Sequence, residues 1–288
     1  MTFITRFAPS PSGPLHLGHA FSALLAHDMA RAAGGMFHLR IDDLDRTRSR
    51  PEWETRIAAD LRWLGLSWSA PVWRQSDRLA RYRKALKWLW DQGLLYPCSC
   101  SRADIRAAAA APQEGAALPG PDGIVYPGTC RPARPPEGQL PDAPLRLDMA
   151  RAMARALATL DRPLRFTETG AGPNGESGAI ALCDMQDTVG DVALARAGMG
   201  ASYHLAIVCD DADQGITDVI RGQDLFVATQ IHVLLQRLLG LPTPIYHHHR
   251  LIRDAAGRRL AKRDDARALA TYRAAGKTPA EIRRLVGL

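Results

Sequence analysis

The sequence predicts an α/β fold: a parallel sheet covered by helices and split by a loop-rich insertion. Three observations lead there. Apolar, β-prone stretches alternate with amphipathic helical stretches from residue 2 to residue 92. The alternation stops after Gly93, where Cys, Pro and Gly take over. Sheet-like sequence resumes at about Val189, with apolar runs that end in charged residues.

Residues 2–8 read as a buried strand, and residues 16–33 as a helix ended by Gly34-Gly35. Met36 to Ile41 is a second strand, followed by the acidic run Asp42-Asp43-Leu44-Asp45. Pro51 suits the first turn of a helix through about Leu64. Leu79, Tyr82, Leu86 and Leu89 fall at helical spacing within 77–92. Residues 96–144 hold Cys98-Ser-Cys100, a short Ala-rich helix and a Pro/Gly-rich stretch from Pro112 to Pro144, which read as loops around a local anchor. Residues 170–178 form a Gly-rich loop. His204 to Cys209 reads as a strongly apolar strand ending in Asp210-Asp211, and Thr217 to Ile220 as a short strand before Arg221-Gly222. A helix over 224–239, a strand from Ile245 to His248, and two short helices around Thr278-Pro279 complete the chain.

A length of 288 residues suits one large or two modest domains, and a hydrophobic fraction of 46% allows a sizeable core. Lys and Arg total 37 against 30 acidic residues, a net charge of +7. That balance is compatible with a polyanionic partner and is weak support alone. No stretch approaches the roughly 18 to 20 apolar residues of a membrane span. No basic region followed by an apolar run marks a signal peptide. Five cysteines, an odd number, argue against a disulfide framework and for a reducing cytoplasm, with room for a metal site.

The chemistry begins in the segment Phe3-Ile-Thr-Arg-Phe-Ala-Pro-Ser-Pro-Ser-Gly-Pro-Leu-His-Leu-Gly-His-Ala20. A strand that turns into a helix N-terminus leaves N–H groups facing outward, which favours an anion such as phosphate. His16 and His19 lie one helical turn apart and add donors on that rim. Gly18 leaves room for a flat ring or sugar. The segment resembles the first signature of the class I aminoacyl-tRNA synthetases, and Arg-Phe-Ala-Pro-Ser-Pro-Ser-Gly narrows the resemblance to their glutamyl/glutaminyl branch. It implies a Rossmann-type catalytic core that binds ATP with Mg²⁺, through Pro9, His16, Gly18 and His19 here. Residues 1–95 and 186–250 are then the two halves of that core. Residues 96–185 are an inserted acceptor or zinc-binding subdomain, and 251–288 the second signature loop with a helical tail.

Arg259-Leu260-Ala261-Lys262-Arg263 is similar to the second signature, a loop whose lysine meets ATP phosphates. It departs from Lys-Met-Ser-Lys-Ser: Arg259 replaces a lysine and Ala261 removes a hydroxyl, while Lys262 keeps the central cation. Fixed positive charge stabilises the phosphate oxygens as carboxylate attack proceeds. His16, His19 and Lys262 are thus the implied catalytic residues, with Arg259 and Leu260 beside ATP. A basic surface loop is the plain alternative.

The amino-acid pocket falls at strand ends, where parallel sheets place their ligand crevice. The resemblance implies that Arg6, Ala8, Ser10, Asp42, Tyr203 and Arg221 hold L-glutamate. Guanidinium forks on Arg6 and Arg221 can pair with a carboxylate, and Asp42 can take the ammonium. A glutamine amide pairs less well with two cations. Asp42 is one methylene shorter than the glutamate usual in the family, and Ile207 stands where many members carry Asn.

Cys98-X-Cys100 with Tyr126-X-X-X-Cys130 offers three thiolates and one oxygen, enough to surround one structural Zn²⁺. Free cysteines are the alternative. Cys183 and Cys209 are expected in the interior. His247-His248-His249 cannot all reach one ion from a strand, so they are expected as neighbours of the ATP loop or as surface residues. The run from Arg81 to Trp90 reads either as an RNA contact or as a solvated basic face.

The stretch after Lys262 is too short for an anticodon-binding domain with its own core. This truncated form resembles the glutamyl-queuosine tRNA(Asp) synthetases. That family activates L-glutamate as glutamyl-adenylate and transfers it to queuosine in the anticodon loop of tRNA(Asp). A monomeric cytoplasmic ligase is expected. The alternatives are a 3′-end glutamyl-tRNA synthetase, a non-catalytic RNA-binding paralogue and a nucleotidyltransferase sharing His-X-Gly-His.

Overall fold

The computed structural model describes residues 2–109, 119–120, 123–158, 163–253 and 268–288. The first half of the chain places β1 (Ile4–Phe7), α1 (Leu17–Ala32), β2 (Met36–Ile41), α2 (Pro51–Trp63), β3 (Ser69–Arg74) and α3 (Leu79–Asp91). The strands pair in parallel in the order β1-β2-β3. The chain then leaves this sheet through β4 (Leu95–Pro97), α4 (Arg102–Ala109), β5 (Pro119–Gly120), β6 (Gly123–Ile124), β7 (Leu145–Leu147) and α5 (Met149–Leu157). Next come β8 (Arg165–Glu168), β9 (Gly178–Ala181), α6 (Met185–Thr188), β10 (Ala193–Ala195), α7 (Tyr203–Asp213), β11 (Asp218–Gly222), α8 (Phe226–Leu239) and β12 (Ile245–His249). Two short helices, α9 (Leu269–Ala274) and α10 (Pro279–Val286), close it.

β11, β12 and β8 pair in parallel, with β9 antiparallel at the edge. This sheet meets the first one at Thr217. Its N–H donates to the Ile4 carbonyl at 2.9 Å, and the Ile4 N–H donates to its Oγ1 at 2.8 Å. Strand ends from both halves of the chain therefore share one edge. β10, β7 and β4 form a separate antiparallel sheet, so the strand just beyond Val189 pairs within the insertion.

One apolar cluster lies among α3, α5, α7 and α8, through residues such as Leu89, Met149, Leu205 and Leu234. A second joins α1, β2 and α2 to the tail, where Ile282 and Val286 pack among Leu24, Leu39 and Leu61. The tail is shaped by a capping box: Thr278 and Glu281 each accept from the other's backbone N–H. Arg283 is fastened to Asp28 on α1.

The main departure from the expected elements is 204–209, which is not a strand but the body of α7. Leu205 through Cys209 are buried without alternation, so a helix enclosed on all sides gives the same apolar run as a buried strand. Ser202 caps it, its side chain accepting from the Leu205 N–H. Among the described residues no helix is long and apolar enough to cross a membrane.

Candidate active site

The loop after β1 delivers His16 as the N-cap of α1, where its side chain accepts from the Gly18 N–H at 3.1 Å. His19 Nδ1 accepts in turn from the His16 N–H at 3.2 Å. Both Nδ1 atoms act as acceptors, which puts each ring proton on Nε2. The rings lie 3.8 Å apart, centroid to centroid. A Cβ on Gly18 would stand 3.0 Å from the His16 ring, so a larger residue there would push that ring aside. The histidine pair thus builds the helix N-terminus that the anion-binding argument requires.

Arg6, Ala8, His16, Gly18, His19, Asp42, Tyr203, Ile207 and Arg221 all line one cleft of about 360 Å³, at the sheet edge. Pro9 and Ser10 continue the β1 loop without lining it; Pro9 is buried, its carbonyl accepting from the Asp42 N–H at 3.1 Å, and Ser10 is exposed. Arg259, Leu260, Ala261 and Lys262 lie outside the described residues. The described chain on either side meets the cleft: Ile252 lines it, and Ala268 bridges His16.

Arg6 turns one edge of its guanidinium to a carboxylate. Its Nε and Nη2 donate to the two oxygens of Asp211 at 2.9 and 3.1 Å. Arg40, fully buried on β2, lies beneath. It donates to Asp42 at 3.1 Å, to Asp211 at 2.8 Å and to Gln214 at 2.9 Å. Asp210 stands 3.7 Å from the same guanidinium and also accepts from Gln75, Arg78 and Tyr82. Burial pushes the Asp42 carboxyl up to about 6, against the pull of Arg40. At Asp211 the two arginines win, and its carboxyl is held below the usual range despite burial.

Arg221 has different company. Its Nε donates to His248 Nε2 and its Nη1 contacts His232 Nδ1, both at 3.1 Å. Its Nη2 donates to Thr229 Oγ1 at 2.7 Å and to the Leu225 carbonyl at 3.3 Å. His248 Nδ1 is paired with Glu168, whose other oxygen accepts the His248 N–H at 2.8 Å. His232 Nε2 contacts His204 Nδ1 at 3.1 Å.

The histidine run is therefore not a surface feature. His248 and His249 are buried in β12, and His247 is half-buried. His249 lies beside the cleft, with Nε2 2.7 Å from Ser22 Oγ on α1. Arg40, Glu168, Thr229 and His232 were not singled out from sequence; Asp211 was noted only as the end of an apolar run, and His248 only within the run of three histidines. The signal was there in part: Arg40 places a charge inside an apolar run and Asp210-Asp211 end another, and charge so close to a core demands buried partners.

In the insertion, the sulfurs of Cys98, Cys100 and Cys130 lie within 4.8 Å of one another. Tyr126 Oη is 3.4 Å from Cys98 Sγ and 3.6 Å from Cys100 Sγ. Four donors around one tetrahedral Zn²⁺ at about 2.3 Å would stand about 3.8 Å apart, so this set fits the ion. Arg146 donates to Cys98 Sγ at 3.2 Å and lies over the Tyr126 ring at 3.9 Å. Burial opposes ionisation of Cys98, but hydrogen bonding from Tyr126 and Arg146 brings its thiol down to about 7. Of the two cysteines expected inside, Cys209 is buried and Cys183 is exposed, because it lies just past edge strand β9. On α3, Arg81 pairs with Asp213 and Lys87 with Asp91, while Trp88 stays exposed.

Comparison with known proteins identifies the family. The family described as tRNA synthetases class I (E and Q), catalytic domain, matches residues 2–119 and 177–288. A glutamyl-Q tRNA(Asp) synthetase of Rhodobacter capsulatus is 63% identical over 287 residues, covering 99% of this chain and 100% of that protein. One from Symbiobacterium thermophilum is 44% identical, over 96% of this chain and 83% of that one. The solved glutamate tRNA ligase of Elizabethkingia meningosepticum, in complex with its amino acid, superposes with a TM-score of 0.73 at 27% identity. That match covers 99% of this chain and 60% of the ligase. With its sheet edge, histidine-capped helix and charged cleft, the chain belongs to the class I tRNA synthetases of the E and Q type, in the glutamyl-Q tRNA(Asp) synthetase family, and is a ligase of the aminoacyl-tRNA synthetase kind.

Proposed function

We propose that this protein activates L-glutamate with Mg-ATP and transfers it to queuosine in the anticodon loop of tRNA(Asp). The observation that carries the activation step is the single cleft that joins Arg6, Asp42, Tyr203 and Arg221 to His16, Gly18 and His19. Glutamate lies at the first group, its side-chain carboxylate toward Arg221 and its ammonium toward Asp42. ATP lies at the second, with phosphates at the N-terminus of α1 and the His16 and His19 Nε2–H donors. Lys262 and Arg259 supply cationic charge to those phosphates.

A glutamate α-carboxylate oxygen attacks the α-phosphorus as the bond to pyrophosphate breaks. A queuosine hydroxyl then attacks the activated carbonyl and AMP leaves, with a phosphate oxygen of the adenylate taking the proton. Holding the reactants together contributes much of the rate. Cys98, Cys100, Tyr126 and Cys130 would hold Zn²⁺, which would pin the loops of the insertion.

The choice of acceptor rests on the names of the relatives. Loops with splayed bases are the usual targets of sequence-specific RNA recognition, and queuosine offers a vicinal diol as a terminal ribose does. The test is transfer of labelled glutamate to tRNA(Asp) and tRNA(Glu), each with and without queuosine, before and after periodate treatment. Transfer to queuosine-bearing tRNA(Asp) alone is expected. Transfer only to tRNA(Glu) would replace this reading with 3′-end charging, and absence of glutamate-dependent pyrophosphate exchange would replace it with a non-catalytic role.

A further inference from the structure

The three arginines around the amino-acid end of the cleft are held in two different ways. Arg6 and Arg40 are held by carboxylates. Arg221 is 6% exposed, yet among the described residues no carboxylate touches it. Every acceptor around it is neutral: two imidazole nitrogens, a hydroxyl and a carbonyl. We propose that His232, Thr229 and His248 are positioning residues that fix Arg221 without neutralising it, so that its charge is left for an anionic side chain and a neutral amide is rejected. The inference rests on the glutamate reading above and names what would enforce it.

The hydrogen-bond chain supports the assignment of neutral rings. Glu168 accepts from His248 at both Nδ1 and the backbone N–H, which leaves His248 Nε2 as a lone pair for Arg221. Glu168 therefore sets the tautomer from the far side of the ring and stays off the guanidinium. His232 faces Arg221 with Nδ1, so its proton belongs on Nε2, toward His204. A guanidinium has five N–H donors. Four are engaged by these contacts, and one on Nη1 has no protein partner among the described residues. Burial and the Arg221 charge hold the His232 imidazole well below its ordinary value. Burial outweighs Glu168 at His248, which is lowered too.

A carboxylate in place of His232 would cancel the charge. An amide of the same shape would not. His232→Asp and His232→Asn put an oxygen near the present Nδ1 and differ only in charge. The assay is glutamate- and glutamine-dependent pyrophosphate exchange with the full chain, alongside thermal melting. His232→Asp should raise the glutamate KM about 10- to 100-fold, the scale of one lost charge-assisted contact. Its kcat should move less than about fivefold, and the glutamate-to-glutamine preference should fall by a similar 10- to 100-fold. His232→Asn should stay within about fivefold on all three.

Equal effects of the two substitutions would overturn the proposal. If His232→Asp does not fold, Thr229→Asp against Thr229→Asn carries the same comparison. Failure of both Asp variants to fold, with both Asn variants folded, also counts against it, because a carboxylate beside an unneutralised buried cation should be tolerated. A wild-type protein with no glutamate-dependent exchange removes the functional reading itself. A wild-type protein that uses glutamate, with matched variants, removes only this inference.

Discussion

Replacing Arg40 with Met should destabilise the protein and weaken glutamate binding together. The side chain is fully buried and stands among Asp42, Asp210 and Asp211. Removing one partner of a buried ion pair costs about 3–5 kcal/mol, because the remaining charge is uncompensated. The structure places this case at the lower end. Asp211 keeps Arg6, and Asp210 keeps Arg78, Tyr82 and Gln75. Asp42 alone loses its paired cation and rises further above its already elevated value of about 6. We expect a loss of about 3 kcal/mol, roughly a hundredfold in the folded-to-unfolded ratio. Urea melts at pH 7.5 followed by circular dichroism measure it. The same preparation should show a raised glutamate KM in pyrophosphate exchange, since a protonated Asp42 cannot pair with an ammonium. Arg40→Lys keeps the charge, loses the fork, and should fall between. A loss below about 1 kcal/mol for Arg40→Met, the scale of an exposed pair, would refute the assignment of Arg40 as the buried counter-ion of this cluster.

Asp42 also sets a pH dependence. Its carboxyl lies above the ordinary 3.8, so the ionised form is lost as pH falls through about 6; glutamate KM should be flat above pH 7 and climb below 6, and a flat profile from pH 5 to 7.5 would contradict Asp42 as the ammonium partner. Asp42→Asn should abolish that slope while raising KM throughout. Purified protein should carry about one Zn²⁺ per chain by atomic emission, Cys130→Ser should lose it, and chelation should lower the melting temperature; full occupancy in Cys130→Ser would remove that cysteine from the donor set. Brief alkylation of the folded protein should label exposed Cys183 and spare Cys209, whose thiol is buried and pushed up to about 12; mass spectrometry of the peptides decides it.

The alternation of strands and helices was legible where an element shows one face to solvent. α1, β2 and α3 fall where their spacing puts them. It was not legible for α7, because an enclosed helix loses its period. β3 carries Pro71 and sits at the edge, so its sequence Ser-Ala-Pro-Val-Trp-Arg has little strand character. Residue types at strand ends led to Arg6, Asp42 and Arg221, which line the cleft; Tyr203 lines it too, but from the first turn of α7, where a strand end was expected. What spacing could not reveal was how each charge is balanced. Asp211 reaches Arg6 across 205 positions of sequence. Glu168, His232 and His248 come from β8, α8 and β12, three elements that only the sheet order brings together.

That balance changes what the two arginines of the cleft can each do for a substrate. Had Arg6 and Arg221 both been unneutralised, the empty pocket would hold two like charges and would gain from any small anion. With Arg6 paired to Asp211, the cleft presents one cation without a carboxylate partner at Arg221, and at Asp42 a carboxylate that it shares with Arg40. A dicarboxylic amino acid then meets one charge with its side chain and one with its ammonium, and its α-carboxylate is the group left over. That is the group the proposed adenylation needs bare, next to the helix N-terminus and its histidines. A protein that clamped the α-carboxylate with a second unneutralised arginine would stabilise the ground state of the nucleophile and slow its attack. Asp211 is thus expected to act on turnover as well as on folding: Asp211→Asn, which frees the Arg6 fork, should tighten glutamate binding measured by calorimetry while lowering kcat in exchange. Weaker binding with unchanged kcat would show instead that Arg6 must be pinned merely to keep the pocket in shape.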